Sequence, residues 1–226
     1  MKENHIASFQ SMNIHIIPGY QYDSNIFVIN GEVPTIIDTG TGLFHDRVIA
    51  QIQSFIDMTN IEQIILTHEH YDHTGGVKKI HDLTDGKAKI IAHEFASKKI
   101  EKGESLFAKM LGGKMPKMPV DIKLLGDETL QLGDEMFRIL STPGHTPGCI
   151  CLYSKISKTL FSGDTVFAHG SFGRYDLPGG NLSHLKDSLK ILNDLDVEHL
   201  LPGHESVVKG DANHHISLSL RNIESF

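Results

Sequence analysis

Four potential metal ligands lie within six residues of the chain, at His68, His70, Asp72 and His73 in the run His-Glu-His-Tyr-Asp-His. The run follows a short apolar segment rich in isoleucine (61–67), which predicts a buried strand. A chain leaving such a strand can direct alternate side chains the same way, so we expect His68 and His70 to point together. Imidazole nitrogen and carboxylate oxygen suit zinc, iron or manganese. The alternative interpretation is a polar loop in which Asp72 only caps a helix.

Three further candidate ligands stand after predicted strands later in the chain. His145 has Pro-Gly before it and Thr-Pro-Gly after it, which predicts a tight turn that holds the ring rigidly. Asp164 and His204 each end an apolar run, in Ser-Gly-Asp-Thr and Pro-Gly-His-Glu. Taken alone, each of the three is more often an ordinary turn or capping residue. With the first four they make seven ligands, which is too many for one tetrahedral ion and fits two ions sharing a carboxylate.

A two-metal site of this kind has a defined chemistry. Two ions about 3.5–4 Å apart clamp a shared water and lower its pKa toward ~7, so that hydroxide is present at neutral pH. That hydroxide attacks a carbonyl or phosphorus centre, and the metals stabilise the developing negative charge. Asp72 is the catalytic candidate, because a carboxylate beside the nucleophile can orient it and carry its proton. We expect hydrolysis, unless the metal is redox-active iron.

The elements that must position these ligands repeat in the two halves of the chain. Residues 61–69 align without a gap on residues 197–205, with Glu, His and Glu identical at equivalent positions. A helix predicted over 46–57 precedes the first segment. A helix predicted over 183–195, with Ser183 as its N-cap, precedes the second.

Further back, each half contains a strand pair that ends in an aspartate. Residues 26–38 read as two strands around an Asn-Gly turn and end at Asp38, and residues 149–164 read as a second pair ending at Asp164. Each half therefore runs strand, strand, Asp, loop, helix, strand, His. Two sheets facing each other, with helices outside, would bury both strand sets. We expect one α/β domain over 1–226 built from two similar halves.

Composition sets outer limits on function. The chain has 226 residues, 39% of them hydrophobic, and a formal net charge of -7. These values fit a globular domain and exclude a disordered or fibrous class. The acidic balance argues against nucleic-acid and membrane partners, and the opening residues contain no apolar leader segment. We expect a cytoplasmic protein that acts on a small molecule, with Cys149 and Cys151 as two small buried side chains in a reducing compartment.

The order His-x-His-x-Asp-His, followed by His, Asp and His after later strands, resembles the metallo-β-lactamase superfamily over nearly the whole chain. The resemblance implies an αββα sandwich of two similar halves, in agreement with the internal repeat. It implies one metal held by His68, His70 and His145, a second held by Asp72, His73 and His204, and a bridge at Asp164. Asp38 matches an early aspartate that orients a ligand histidine through a hydrogen bond. We expect two divalent ions, zinc first, with iron and manganese left open.

Within that superfamily, the chain is most similar to glyoxalase II (hydroxyacylglutathione hydrolase) and its small prokaryotic relatives. The similarity lies in GDTVFAHGSFGRYDLPGG (163–180) and implies cleavage of a thioester such as a hydroxyacylglutathione. It also implies that Arg174 and the adjacent Tyr175 bind the substrate; the alternative is a surface Arg–Tyr pair in a turn. Glyoxalase II completes its glutathione pocket with a C-terminal helical domain that these 226 residues do not contain.

The segment 97–119, rich in Lys, Gly, Met and Pro, is the other candidate for covering the site. We interpret it as a short helix and a loop that form a lid, with Met110, Met115 and Met118 as adaptable apolar contacts. The alternative is a solvent-exposed loop on the protein surface.

Other functions of the same fold stay open. A mononuclear-iron persulfide dioxygenase would use His68 or His70 with His145 and Asp164 and would oxidise a thiol persulfide with O₂. Its Gly-Arg-x-Asp pattern is matched by residues 173–176. A lactonase or phosphoesterase is a further alternative. A metal-binding or regulatory protein without turnover is the non-enzymatic one, and the complete set of seven ligands argues against it.

Overall fold

The structure, a computed structural model, describes residues 13–226. The described residues form two compact units. The N-terminal unit contains Asn13–Leu124 with Leu132–Asp134, and the C-terminal unit contains Leu125–Gln131 with Glu135–Phe226. The first twelve residues, which carry most of the segment examined for a secretory leader, lie outside the described residues.

The N-terminal unit is built on a six-stranded sheet in the order β1-β2-β3-β4-β5-β6. Its strands are β1 (Ile14–Ile17), β2 (Ile26–Ile29), β3 (Thr35–Ile37), β4 (Gln63–Leu66), β5 (Lys89–His93) and β6 (Ile122–Leu124). The first three pair antiparallel, and β3 to β6 pair parallel. β2, β3 and β4 are buried along their whole length, as their near-continuous isoleucine and valine runs predict.

Five helices and a 3₁₀ turn (Met58–Asn60) complete this unit within the described residues. The helices are α1 (His45–Gln53), α2 (Tyr71–Thr74), α3 (Val77–Leu83), α4 (Glu94–Lys102) and α5 (Leu106–Met110). Their buried faces, including Val48 and Ile52 of α1 and Ile100 of α4, join the strand residues in one apolar core. Ile36 of β3 and Leu66 of β4 belong to this core, so their burial anchors the strands that precede Asp38 and the His68 run.

The segment 97–119 is more ordered than the sequence pattern indicates. Helix α4 occupies its start, and the short helix α5 follows. Met115 and Met118 are buried in the core of the N-terminal unit, whereas Met110 is 71% exposed. The alternative interpretation, a solvent-exposed surface loop, is therefore wrong for the second half of this segment, because two methionines hold that half against the core.

The C-terminal unit is built on a second six-stranded sheet in the order β12-β11-β10-β9-β8-β7. The strands are β7 (Thr129–Leu132), β8 (Glu135–Ser141), β9 (Ile150–Ser154), β10 (Thr159–Gly163), β11 (His199–Pro202) and β12 (Val208–Lys209). β8, β9 and β10 pair antiparallel, β10 and β11 parallel, and β11 and β12 antiparallel. Cys149, beside β9, and Cys151, within it, are buried free thiols as predicted, and burial raises the pKa of Cys151 to about 11.

Helices α6 (Leu182–Asn193) and α7 (Ala212–Glu224) pack in the core of this unit. The expected Ser N-cap of α6 is wrong, because Asn181 caps the helix and accepts a hydrogen bond from the His184 amide at 3.0 Å. Asparagine and serine cap equally well, so the pattern alone did not choose between them. Within residues 13–226, no helix is both long enough and apolar enough to span a membrane.

The repeat predicted from the sequence is present in both units. An antiparallel pair (β2 with β3, β9 with β10) is followed by a helix and then by a strand parallel to the pair's second member (β4, β11). Parallel neighbours have their carboxyl ends at the same edge of a sheet. Asp38 therefore lies beside the residues that follow β4, and Asp164 lies beside those that follow β11.

Candidate metal centre

The N-terminal unit contributes four candidate ligand side chains from one short run after β4. His68 and His73 are fully buried, and their ring centroids are 4.1 Å apart. The His70 ring lies edge to face with His68 at 4.8 Å. His70 ends the extended stretch and caps α2, so Asp72 and His73 turn away on the first turn of that helix. One change of backbone conformation thus packs three imidazoles and a carboxylate together.

Asp38 organises this run from the neighbouring strand. Its backbone has a left-handed φ of +59°, which aspartate tolerates better than most residues, and it is 1% exposed. One carboxylate oxygen accepts the Thr67 amide at 2.8 Å, and the other accepts the Thr67 hydroxyl at 2.8 Å. The second oxygen also lies 2.8 Å from Nδ1 of His73. An ionised carboxylate only accepts hydrogen bonds, so Nδ1 of His73 carries the proton and Nε2 presents a lone pair.

The same network sets the tautomer of His68. The Thr67 hydroxyl has one proton, which it donates to Asp38. At 3.2 Å from Nδ1 of His68, that hydroxyl therefore acts as the acceptor. Nδ1 of His68 then carries a proton and Nε2 presents a lone pair. The buried Asp38 carboxylate thus fixes the tautomer of two imidazoles, directly for His73 and through Thr67 for His68.

Two further contacts hold the backbone of the run. The amide and hydroxyl of Thr39 both donate to the carbonyl of His73, at 2.7 and 2.8 Å. Glu69 is buried and pairs with Lys99 of α4 at 3.1 Å. These contacts fix the run at both ends.

The C-terminal unit supplies its candidate ligands from three separate loops. His145 follows Gly144, whose φ of +145° and close contact with the backbone of Leu185 leave no room for a side chain. Nδ1 of His145 lies 2.7 Å from the backbone carbonyl of Arg174. A carbonyl only accepts, so this ring is also protonated on Nδ1 and offers Nε2. The proline-glycine turn predicted around His145 positions it as a rigid side chain.

Asp164 and His204 follow the parallel strands β10 and β11. Oδ2 of Asp164 lies 3.5 Å from Nε2 of His145 and 3.6 Å from Nε2 of His204. Hydrogen bonds between such groups are about 2.7–3.2 Å long, so these separations are too great for direct bonding. Four ligands at about 2.1 Å from a tetrahedral ion lie roughly 3.4 Å from one another. The spacing around Asp164 is therefore that of ligands sharing an ion.

The N-terminal run has the same spacing, since Oδ2 of Asp72 lies 3.7 Å from Nε2 of His73. Seven candidate ligand side chains stand on these loops among the described residues, at the positions that the sequence analysis names. The N-terminal unit carries His68, His70, Asp72 and His73, and the C-terminal unit carries His145, Asp164 and His204. The donors are imidazole nitrogens and carboxylate oxygens, which fit the borderline ions zinc, iron and manganese.

The predicted substrate residues lie on the loop after β10. The Arg174 side chain is exposed and forms a two-point ion pair with Asp176, at 2.9 and 2.8 Å. That guanidinium holds the pKa of Asp176 below its usual range. Tyr175 packs against the core of the C-terminal unit, with its ring 6.3 Å from that of Phe226. The backbone carbonyl of Arg174 thus accepts the hydrogen bond from His145, while the Arg174 side chain is exposed to solvent.

Sequence reasoning missed three residues that support the ligands: Thr39, Thr67 and Lys99. Thr67 had a usable signal, because it is the last residue of the predicted strand and directly precedes His68. Thr39 follows Asp38 in the same way. Lys99 carries no local signal, since its partner Glu69 lies thirty positions away.

Comparison with known proteins gives the family. Residues 19–204 match the metallo-beta-lactamase superfamily. A probable metallo-hydrolase of Methanocaldococcus jannaschii is 31% identical over 193 residues, covering 84% of this chain and 91% of that protein. The crystal structure of TTHA1623 in a di-iron-bound form is 30% identical, with a TM-score of 0.71, and covers 92% of this chain and 96% of that one. The BLEG-1 B3 metallo-beta-lactamase has a TM-score of 0.76 at 25% identity, with the same coverage.

These matches confirm the predicted fold class, with two mixed sheets and flanking helices arranged as in that family. They also agree with the metal-binding character of the His and Asp groups, because one relative was solved with two irons bound. The chain belongs to the metallo-β-lactamase superfamily.

Proposed function

We propose that this protein is a dinuclear metallohydrolase that cleaves a thioester. In this proposal the two ligand sets form one centre, with Asp164 as the shared ligand. The first ion is held by His68, His70 and His145, and the second by Asp72, His73 and His204.

The observation that carries the proposal is the position of Asp164. One of its oxygens lies at ligand spacing from both His145 and His204, at 3.5 and 3.6 Å. These two histidines belong to different ions in the proposal, so the carboxylate between them has the position of a bridge. The tautomers support the same reading, because Nε2 is the ligand atom of His68, His73 and His145.

When bound, the two ions would activate a water and polarise the scissile carbonyl. Asp72 is partly exposed at the end of the buried run, where its carboxylate can orient that water and accept its proton. The water oxygen forms a bond to the thioester carbon, and the carbon–sulfur bond breaks. The sulfur leaves as a thiol with the proton, and the acyl group leaves as a carboxylic acid. Asp38 keeps the ligand histidines oriented throughout.

The thioester assignment rests on the loop after β10 and on its similarity to glyoxalase II. Arg174 provides an exposed cation, and its backbone carbonyl contacts Nδ1 of His145 at 2.7 Å. A cation there suits an anionic thiol such as glutathione. Tyr175 lies next to it and contributes a partly buried ring. We place both residues at the substrate in this proposal.

The metal is proposed from the family as well as from the donor chemistry. Zinc suits imidazole and carboxylate donors, and the relative solved with two irons is 30% identical to this chain. Reconstitution should therefore compare zinc, iron(II) and manganese(II). Two ions of any of these per chain agree with the proposed centre.

The experiment is a substrate panel with metal-reconstituted protein. It contains S-lactoylglutathione, an acyl homoserine lactone, a phosphodiester, and the cephalosporin nitrocefin because of the similarity to BLEG-1. We expect metal-dependent cleavage of the thioester and its loss, with loss of one ion, in His70→Ala. His81→Ala, at an imidazole of α3 outside both ligand sets, is the matched control and should retain both activity and metal.

The alternative reaction class is tested in the same preparation. A persulfide dioxygenase would contain one iron per chain and consume O₂ with glutathione persulfide. That result, with no thioester cleavage, would replace the hydrolase proposal. Cleavage of only the lactone or the phosphodiester would keep the metal centre and change the substrate class.

A further inference from the structure

The accessible part of the ligand run is limited to two side chains. His68, Glu69, Tyr71 and His73 are buried, whereas His70 and Asp72 are partly exposed. A molecule that approaches this run therefore meets His70 and Asp72 first. The residues around His70 then decide which chemical groups can lie beside the reacting centre.

An aromatic ring from helix α5 stands beside His70. The Phe107 ring is edge to face with the imidazole, with centroids 5.2 Å apart and planes at 68°. Phe107 is partly buried and packs against the core of the N-terminal unit, together with Leu111 one turn later. Part of this apolar surface remains uncovered next to a proposed ligand.

Helix α5 is short, and contacts outside it hold its position. The Ser105 hydroxyl caps it by accepting the Ala108 amide at 3.2 Å. Beyond the helix, the Thr74 hydroxyl, which donates to the His70 carbonyl at 2.9 Å, lies 3.3 Å from the Met115 sulfur. Gly113 lies so close to the Tyr71 hydroxyl that no side chain fits. Thr74 and Tyr71 belong to helix α2, which carries the ligands. The apolar surface formed by Phe107 and Leu111, called the wall below, is therefore preformed.

We propose that Phe107 is a specificity-determining residue, whose ring with Leu111 receives an apolar acyl chain beside His70. This inference rests on the proposed hydrolase function and names the acyl group that it favours. Neither side chain has a hydrogen-bonding group, so the wall discriminates by apolar contact alone. Substrates with longer alkyl chains should gain up to about fourfold for each methylene that the wall covers.

The first test uses thioesters of one thiol with acetyl, butyryl and hexanoyl groups. In the wild type, kcat/KM rises with chain length. In Phe107→Ala the rise disappears, and in Phe107→Leu, which keeps an apolar side chain, it is reduced. Phe55→Ala is the matched control: Phe55 also stacks on a histidine of the same unit, His15, at 4.1 Å, but that histidine is not a candidate ligand. It should keep the wild-type chain-length dependence.

A second readout does not require turnover. Titration calorimetry measures binding of acetate, butyrate and hexanoate to the metal-loaded protein, with metal content determined for each variant. Affinity rises with chain length in the wild type and is flat in Phe107→Ala. If no thioester is cleaved but this pattern holds, the thioesterase proposal fails and the role of Phe107 stands. If the wild type shows no rise, or the Phe107 variants with full metal content keep the wild-type rise, the inference is overturned.

Discussion

Asp38 and Asp164 occupy the same topological position in the two units, yet their carboxylates have different surroundings. Each follows the second strand of an antiparallel pair and lies beside the strand parallel to it. Asp38 accepts three hydrogen bonds of 2.8 Å from Thr67 and His73. Asp164 lies instead at 3.5 and 3.6 Å from two imidazole nitrogens, which is ligand spacing. One aspartate supports ligands, and the other has the position of a ligand.

The residue after the parallel strand explains the difference. In the N-terminal unit it is Thr67, whose amide and hydroxyl both donate to Asp38. In the C-terminal unit the aligned residue is Gly203, which has no side chain and whose amide donates to the Gly163 carbonyl at 2.7 Å. The repeat therefore fixes where each aspartate stands, and the neighbouring residue decides what its carboxylate can bind.

The largest expected effect comes from removing the shared carboxylate. Asp164→Asn should lower kcat/KM by about a thousandfold or more, because both proposed ions lose a charged ligand. Elemental analysis and thioester kinetics measure the result. A variant with full activity and two ions would remove Asp164 from the centre.

Asp38→Asn should have a smaller effect of a different kind. An amide has one acceptor oxygen where the carboxylate has two, so it cannot accept all three hydrogen bonds from Thr67 and His73, and metal affinity should fall about 10–100-fold. Excess metal should restore most of the activity, which it should not do for Asp164→Asn. Metal titration of both variants compares them directly, and equal rescue of the two would contradict the division of roles.

Thr67→Val sharpens the comparison further, because it removes one hydroxyl and keeps the shape. Metal affinity should fall by roughly tenfold or less, since the Thr67 amide still donates to Asp38. The matched control is Thr35→Val, because Thr35 is also buried but its hydroxyl donates to the Val33 carbonyl at 2.9 Å. If Thr35→Val lowers metal affinity as much as Thr67→Val does, the effect is a general one of removing a buried threonine hydroxyl, and the specific role of Thr67 is contradicted.

The smallest expected effect is at the loop after β10. Arg174→Ala should raise KM for an anionic thioester about three- to tenfold and leave metal content unchanged. The contact with His145 is made by a backbone carbonyl, which the substitution retains. Asp176→Asn, which breaks the ion pair and keeps the guanidinium, should not raise KM. An unchanged KM in Arg174→Ala would exclude that side chain from substrate binding.

Local patterns in the sequence predicted the succession of strands and helices in each half, because isoleucine-rich runs and Pro-Gly turns mark buried strands and their ends. The αββα sandwich was implied by the family resemblance, in agreement with the internal repeat. They did not reveal the Arg174 carbonyl, since a backbone acceptor has no signature in residue type. They also did not single out Phe107, because α5 is only five residues long and too short for helical periodicity. Contacts that join distant segments, such as Glu69 with Lys99, require the folded chain.

Elemental analysis of metal-reconstituted protein, with the wild type beside Asp164→Asn, tests the proposed centre most directly. Two ions per chain in the wild type, and one or none in the variant, are the predicted result. One ion per chain in the wild type, or two retained in a folded Asp164→Asn, would contradict the shared carboxylate and the dinuclear centre built on it.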